Sequence, residues 1–231
     1  MKLLLLDTSS RYLSLAVSKD EKVLYSTNRI LDRKRSAKLV SLIDNSLKKA
    51  QLSLEEIDGF CVGQGPGSFT GLRIGITAIK GLAYILGKPV IAIPSLDILA
   101  QNFAYAKKDC SFSICPIVDA KQKKVYSCIY RLKDDKIKRK SPYLLLPLDD
   151  LLKRLQGETV FLGDAVKLYR QKISQAEKIR PIFAKENYWY PRMGAMVPLT
   201  LERLQKNDFK DQRSLEPLYL YPKECQIKRS S

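Results

Sequence analysis

The chain has 231 residues and a mass of 26.3 kDa, enough for one large domain or two small ones whose core needs no disulfides. It contains no histidine, which excludes a Ser-His-Asp triad, a Cys-His pair, an H-E-x-x-H zinc site and any imidazole base. With 41 Lys and Arg against 24 Asp and Glu the net charge is +17, and five cysteines without a C-x-x-C pair point to a reducing, cytoplasmic setting and no structural zinc.

Leu3-Leu4-Leu5-Leu6, closed by Asp7, reads as a buried strand, since four leucines are too few for a signal-peptide core. No apolar run approaches the length of a membrane span, so no membrane partner is expected. Thr8-Ser9-Ser10-Arg11 follows as a loop, then strands over 12–17 and 23–25 joined by a polar turn. Residues 37–50 predict a helix, with Leu39, Val40, Ile43, Leu47 and Ala50 on one face. A strand over 57–62 leads into a glycine-rich loop, and a helix over 72–86 ends at Gly87, with Pro89 two residues on. A strand over 90–93 and a helix over 96–106 complete this part. From Ile114 the pattern starts again: a strand closed by Asp119, a turn over 120–124, a strand over 125–130 and a turn over 131–136. A helix over 148–155, a strand over 159–162, a helix opened by Gly163-Asp164 and an extended aromatic end over 217–222 follow. The repeated Asp-closed strand, turn and strand predict a duplication, with halves over 1–106 and 107–231 and room for the C-terminal segment to pack back on the first half.

The most informative stretch is the loop. Gly63, Gly65, Gly67 and Gly71, with Pro66, Ser68 and Thr70, join a strand to a long helix. Glycine admits conformations and close approaches that other residues do not, and Ser68 or Thr70 can cap the helix. Such a loop cradles an anion, receives another protein, or is an ordinary tight turn. It lacks the lysine of a P-loop. Gly71, Gly75 and Ala78 form a stripe of small residues along the helix, at a cost of about 1 kcal/mol for each glycine. The stripe predicts close approach, either by the chain's own sheet or by another subunit. Between Lys121 and Lys140 nine basic residues stand against two acidic ones, with further clusters at Arg33-Lys34-Arg35 and Lys107-Lys108. A polyanion such as RNA and a merely solvated surface both fit this charge.

Leu6-Asp7-Thr8-Ser9, the segment from Gly63 to Gly75, Asp119-Ala120-Lys121, Gly163-Asp164-Ala165 and Pro217-Leu218-Tyr219-Leu220 occur in an order that resembles one family, TsaB (YeaZ). The resemblance covers nearly the whole chain. It implies an α/β actin/hexokinase/Hsp70-like (ASKHA) fold of two ribonuclease-H-like halves. It also implies a role in making N6-threonylcarbamoyladenosine beside the tRNA anticodon, in a complex where a TsaD-like protein holds the metal and the reacting site and a TsaE-like ATPase joins. ATP and metal are then expected in the wider complex, with no cofactor assigned to this chain. The family pairs with TsaD through its N-terminal half, which makes Gly71, Arg73, Ile74, Gly75, Ala78 and Leu82 the expected interface; the free chain could also homodimerise. Two positions depart from the family pattern: Arg35-Ser36-Ala37 stands where His-Ser-Glu is usual, and Tyr221 where an arginine is usual.

Two readings follow. In the first the chain is a non-catalytic scaffold that meets tRNA through the complex, with Lys136, Lys138, Arg139 and Lys140 as candidate tRNA contacts. In the second it is an autonomous phosphotransferase or ATPase, with Asp7 and Asp119 holding Mg²⁺. Candidate phosphate or nucleotide contacts are Asp7, Thr8, Ser9, Gly65, Gly67, Ser68 and Thr70. The single glycine of the Gly163-Asp164 turn, where ATP-binding relatives carry two, weighs against the second reading.

Overall fold

A computed structural model describes residues 1–31, 38–104, 112–133 and 136–222. Arg33-Lys34-Arg35, Ser36-Ala37, Lys107-Lys108 and the expected boundary at 106/107 lie outside the described residues.

The leucine run forms β1 (Lys2–Asp7), the centre of a five-stranded sheet. β2 (Tyr12–Lys19) and β3 (Lys22–Ile30) continue from it antiparallel, while β4 (Gly59–Gly65) and β5 (Val90–Pro94) lie parallel on its other side. Both faces of this sheet are covered, which is why the strand is apolar at every position rather than at alternate ones. Leu4 and Leu6 pack with α1 (Leu39–Lys49) and α2 (Phe69–Leu86) on one face. Leu3 and Leu5 pack on the other face, against Ile98 of α3 (Ser95–Ala104) and Met193, Met196 and Val197.

The second sheet repeats the plan. β6 (Ser113–Asp119) is flanked by antiparallel β7 (Lys124–Ser127) and parallel β11 (Gly157–Leu162), with β12 (Ile179–Phe183) beyond β11 and β10 (Leu144–Pro147) beyond β7. α4 (Leu148–Leu152) and α5 (Val166–Ser174) cover one face, and Leu96, Leu99 and Phe103 of α3 cover the other. Strand order and sense around β6 match those around β1, so the duplication is visible in the topology.

Several expectations change. Residues 125–130 are not one strand: the chain breaks at Cys128-Ile129, and β8 (Tyr130–Lys133) pairs with the other end of β6 and with β9 (Lys136–Arg139). The turn expected over 131–136 is therefore largely hairpin strand. Val40 is 73% exposed rather than part of the buried face of α1. β10, β12 and α6 (Met193–Gln205) were not legible. α6 carries Gly194 and an internal Pro198, both unfavourable in helices, and it forms because its apolar side covers the first sheet.

α2 starts three residues earlier than its periodicity suggests. Ser68 is its cap, with Oγ accepting from Gly71 N–H at 3.2 Å, and Gly87 closes it in the left-handed conformation, φ +62°. At 18 residues and mean hydropathy 1.3 it is long and apolar enough to cross a membrane, contrary to the sequence reading. Here Ile76, Ile79 and Ala83 seal one face of the sheet. Removing the cap in Ser68→Ala should lower unfolding free energy by about 1 kcal/mol in urea titrations. Thr70→Ala should change it by less than about 0.5 kcal/mol.

Candidate functional site

β1 ends at Asp7, and the chain turns at once. Ser9 donates from both its backbone N–H (2.9 Å) and its hydroxyl (2.8 Å) to Asp7 Oδ1. Ser95, at the start of α3, donates to Oδ2 at 2.9 Å and accepts from Gly65 N–H at 3.1 Å. Asp7 is fully buried. It fits only because the neighbouring position on β4 is Gly63, where a Cβ would collide with its carboxylate.

The glycine loop closes over this turn. Ser68 N–H donates to Ser9 O at 2.7 Å. A Cβ on Gly67 would strike Ser9 O, one on Gly71 would strike Thr8 O, and one on Gly75 would strike Thr8 Oγ1. Thr8 is completely buried, and its hydroxyl has no hydrogen-bond partner among the described residues. The candidate phosphate contacts are thus brought together, but against one another. Asp7, Thr8, Ser9 and Gly65 are buried and Gly67 half-buried, leaving only Ser68 and Thr70 exposed. The loop is filled by its own chain and offers no open anion cradle.

Asp119 ends β6 as Asp7 ends β1, but in a different setting. Its carboxylate accepts from Lys121 N–H and pairs with Lys121 Nζ, and its own N–H donates to Asp164 Oδ1 at 3.0 Å. Gly163, at φ +105°, lies against the Ile117 carbonyl, which leaves no room for a side chain there. A Mg²⁺ held between Asp7 and Asp119 does not fit, because both Asp7 oxygens are engaged and sealed from solvent.

The small-residue stripe is likewise internal at two of its three positions. Gly71 and Gly75 face Thr8, not solvent, which corrects their assignment to a partner interface. Ile74, Ala78 and Leu82 are half-buried against the first core, and Arg73 is exposed. The open side of α2 is instead Thr77, Gly81, Tyr84 and Ile85. Nothing lies within 4 Å of a Cβ built on Gly81, and Tyr84 and Ile85 are 65% and 80% exposed. At the start of the helix Arg73 lies 4.0 Å over the Phe69 ring and donates to Tyr219 Oη at 3.1 Å. On β9 and just after it, Lys138, Arg139 and Lys140 are exposed, with Arg139 over the Tyr143 ring at 4.6 Å; of Lys136 only the backbone is described.

Residues 27–224 match the model of the TsaD family, described as tRNA N6-adenosine threonylcarbamoyltransferase. The chain is 28% identical to the tRNA threonylcarbamoyladenosine biosynthesis protein TsaB of Bacillus subtilis, covering 99% of this chain and 97% of that one. It is 29% identical to Escherichia coli TsaB over 71% of each. The solved structure of YeaZ from Pseudomonas aeruginosa superposes with a TM-score of 0.79 at 26% identity, covering 95% of this chain and 99% of that one. The chain belongs to the TsaB/YeaZ family. Its fold is the ASKHA fold, shared at a TM-score of 0.52 and 11% identity with an activator of 2-hydroxyisocaproyl-CoA dehydratase from Clostridium difficile, over 91% of this chain and 99% of that one. Of the two departures from the TsaB pattern, Arg35 lies outside the described residues. Tyr221 donates to the carbonyl of Ala120 at 3.0 Å and so ties the segment 217–222 to the turn after β6.

Burial pushes the Asp7 carboxyl above its ordinary 3.8, against the pull of its bonds from Ser9 and Ser95. The folded state therefore holds this proton more tightly than the unfolded chain. The group's stabilisation is full below about pH 3.8 and is lost as pH rises through the folded value. The stability of Asp7→Asn relative to wild type should accordingly move in the variant's favour between about pH 3.5 and pH 7, read as the difference in urea midpoint. A difference independent of pH overturns the desolvation argument.

Proposed function

We propose that this chain is a non-catalytic subunit of the assembly that transfers threonylcarbamoyl from threonylcarbamoyl-adenylate to the tRNA adenosine beside the anticodon. In this reading it holds a TsaD-like protein, joined by a TsaE-like ATPase, and the ATP and metal belong to the wider complex. The observation that carries it is the closure of Asp7-Thr8-Ser9 beneath Gly67, Gly71 and Gly75. Phosphate chemistry at that turn would need it open. The absence of histidine supports the same conclusion.

The surface offered to the partner is the open side of α2: Arg73, Thr77, Gly81, Tyr84 and Ile85, bordered by Ile74, Ala78 and Leu82. Exposed Tyr84 and Ile85 beside an unfilled glycine suit close approach of a second helix. The same face would serve a homodimer of the free chain. Lys136, Lys138, Arg139 and Lys140 are the cations this reading offers to tRNA phosphates, which position an RNA without reading its bases.

Two leucine substitutions on α2 separate core from interface. Gly81→Leu should leave the thermal midpoint within a few degrees of wild type but weaken association with the TsaD-like protein by about 5- to 150-fold, in line with overpacking costs of about 1–3 kcal/mol. Gly75→Leu should instead fail to fold, because its side chain displaces Thr8. Normal association of Gly81→Leu places the interface elsewhere. The purified chain should also show neither ATP turnover nor transfer on its own. Turnover that disappears in Asp7→Asn would establish the phosphotransferase reading in its place.

A further inference from the structure

A polar cleft of about 410 Å³ lies between the first sheet and the segment 186–192. One wall comes from the first sheet: Arg11 and Tyr12 at the start of β2, and Asn28 on β3. The other is the segment 186–192, which supplies Asn187, Tyr190 and Arg192.

The walls are held in place from behind. Asn102, buried in α3, donates to the carbonyls of Tyr190 (2.7 Å) and Tyr188 (3.3 Å) and accepts from Arg192 N–H at 3.3 Å. Buried Ser14 donates to Pro191 O at 3.2 Å. Tyr12 and Tyr190 meet edge to face across the cleft, ring centroids 4.8 Å apart. The Arg11 guanidinium sits against both rings, 4.9 and 5.0 Å from their centroids, and gives one of its N–H donors to Tyr12 Oη at 2.9 Å. A guanidinium carries five such donors, so Arg11 keeps capacity for a ligand. Arg192 is exposed and lies 5.8 Å over Tyr188. Glu186 offsets one of the two positive charges, so the lining keeps a net positive charge.

We propose that this cleft binds a nucleoside phosphate, presented by single-stranded RNA. Its chemistry matches each part of that ligand. Two guanidinium groups take the phosphate, aromatic and guanidinium planes stack on the base, and the Asn28 and Asn187 amides can both donate to and accept from a base edge. The Glu186 carboxylate can accept from a ribose hydroxyl. The volume suits one nucleotide, and the pinned wall reduces the ordering cost of binding. An RNA strand rather than a free nucleotide is favoured by the chain's charge of +17, which attracts the flanking phosphates of a polymer.

The proposal adds an RNA site to the scaffold reading without depending on it, since its test uses the isolated chain and no TsaD-like protein. Binding of a fluorescent single-stranded hexaribonucleotide would be titrated at several salt concentrations, with AMP as competitor. Wild type should bind saturably. Arg11→Gln with Arg192→Gln should weaken binding at least tenfold and lower the salt slope by about 0.7 for each phosphate that is no longer neutralised. Asn28→Ala with Asn187→Ala should alter the preference among bases while leaving that slope unchanged. Lys167→Gln with Lys178→Gln, two exposed cations of the second half, should weaken binding less than threefold. Binding that AMP cannot displace below millimolar concentrations identifies the strand as the ligand. Displacement by micromolar AMP overturns the RNA assignment in favour of a free nucleotide. Absent saturable binding, or equal affinity in wild type and the folded cleft variants, overturns the site itself. Circular dichroism establishes that the variants are folded.

Discussion

The first half of the molecule is organised by the close approach of one helix backbone to one turn. Thr8 and Ser9 lie directly beneath α2, and Gly67, Gly71 and Gly75 are the positions where any side chain would force them apart. The approach places the start of α2 over the end of β1 and buries the Asp7 carboxylate. That carboxylate in turn orders the turn through Ser9 and gathers α3 and the glycine loop through Ser95. A buried carboxylate is tolerable only when its oxygens find donors, and three donors converge on this one. The closure that stabilises the fold also fills the space a phosphate would need at this turn.

The two sheets are coupled through α3, which contributes Ile98 to one core and Leu96, Leu99 and Phe103 to another. The same helix carries Asp97, whose carboxylate accepts from Tyr130 at 2.6 Å and Tyr143 at 3.0 Å, with Arg203 of α6 at 4.0 Å. Burial is the main influence raising both the carboxyl of Asp97 and the phenol of Tyr143, so the phenolic hydrogen stays in place at neutral pH. Three elements far apart in sequence meet at one carboxylate. α6 belongs to the same junction, since from a position late in the chain it covers the face of the first sheet on which α3 also packs.

What remains exposed is unevenly distributed. The open side of α2 sets exposed Tyr84 and Ile85 beside Arg73 and Thr77, the β8–β9 hairpin is cationic, and the cleft beside Tyr12 and Tyr190 combines aromatic, amide and guanidinium groups. The chain's relatives are named for tRNA modification, and its own charge is +17. Its surface chemistry suits both protein pairing and a polyanion.

Much was legible from local pattern. The central strands, the two Asp-closed repeats, the long helix with its Gly87 stop and the family resemblance all rest on short-range signals: apolar runs, turn residues and fixed motif spacing. The glycine stripe was equally visible, and it does mark a close approach. Its direction was not visible, because a glycine shows only that something comes near. Whether that neighbour is Thr8 of the same chain or another subunit depends on where β1 ends in space. The break at Cys128-Ile129 depends on which end of β6 each piece finds. α6 was hidden by Gly194 and Pro198, whose local preferences yield to burial against the first sheet. The cleft walls come from opposite ends of the chain and share no motif. Sequence alone determined the central strands, the long helix and the lineage, because those are written in local periodicity and motif. Tertiary structure alone decided which faces are open, because that follows from long-range packing.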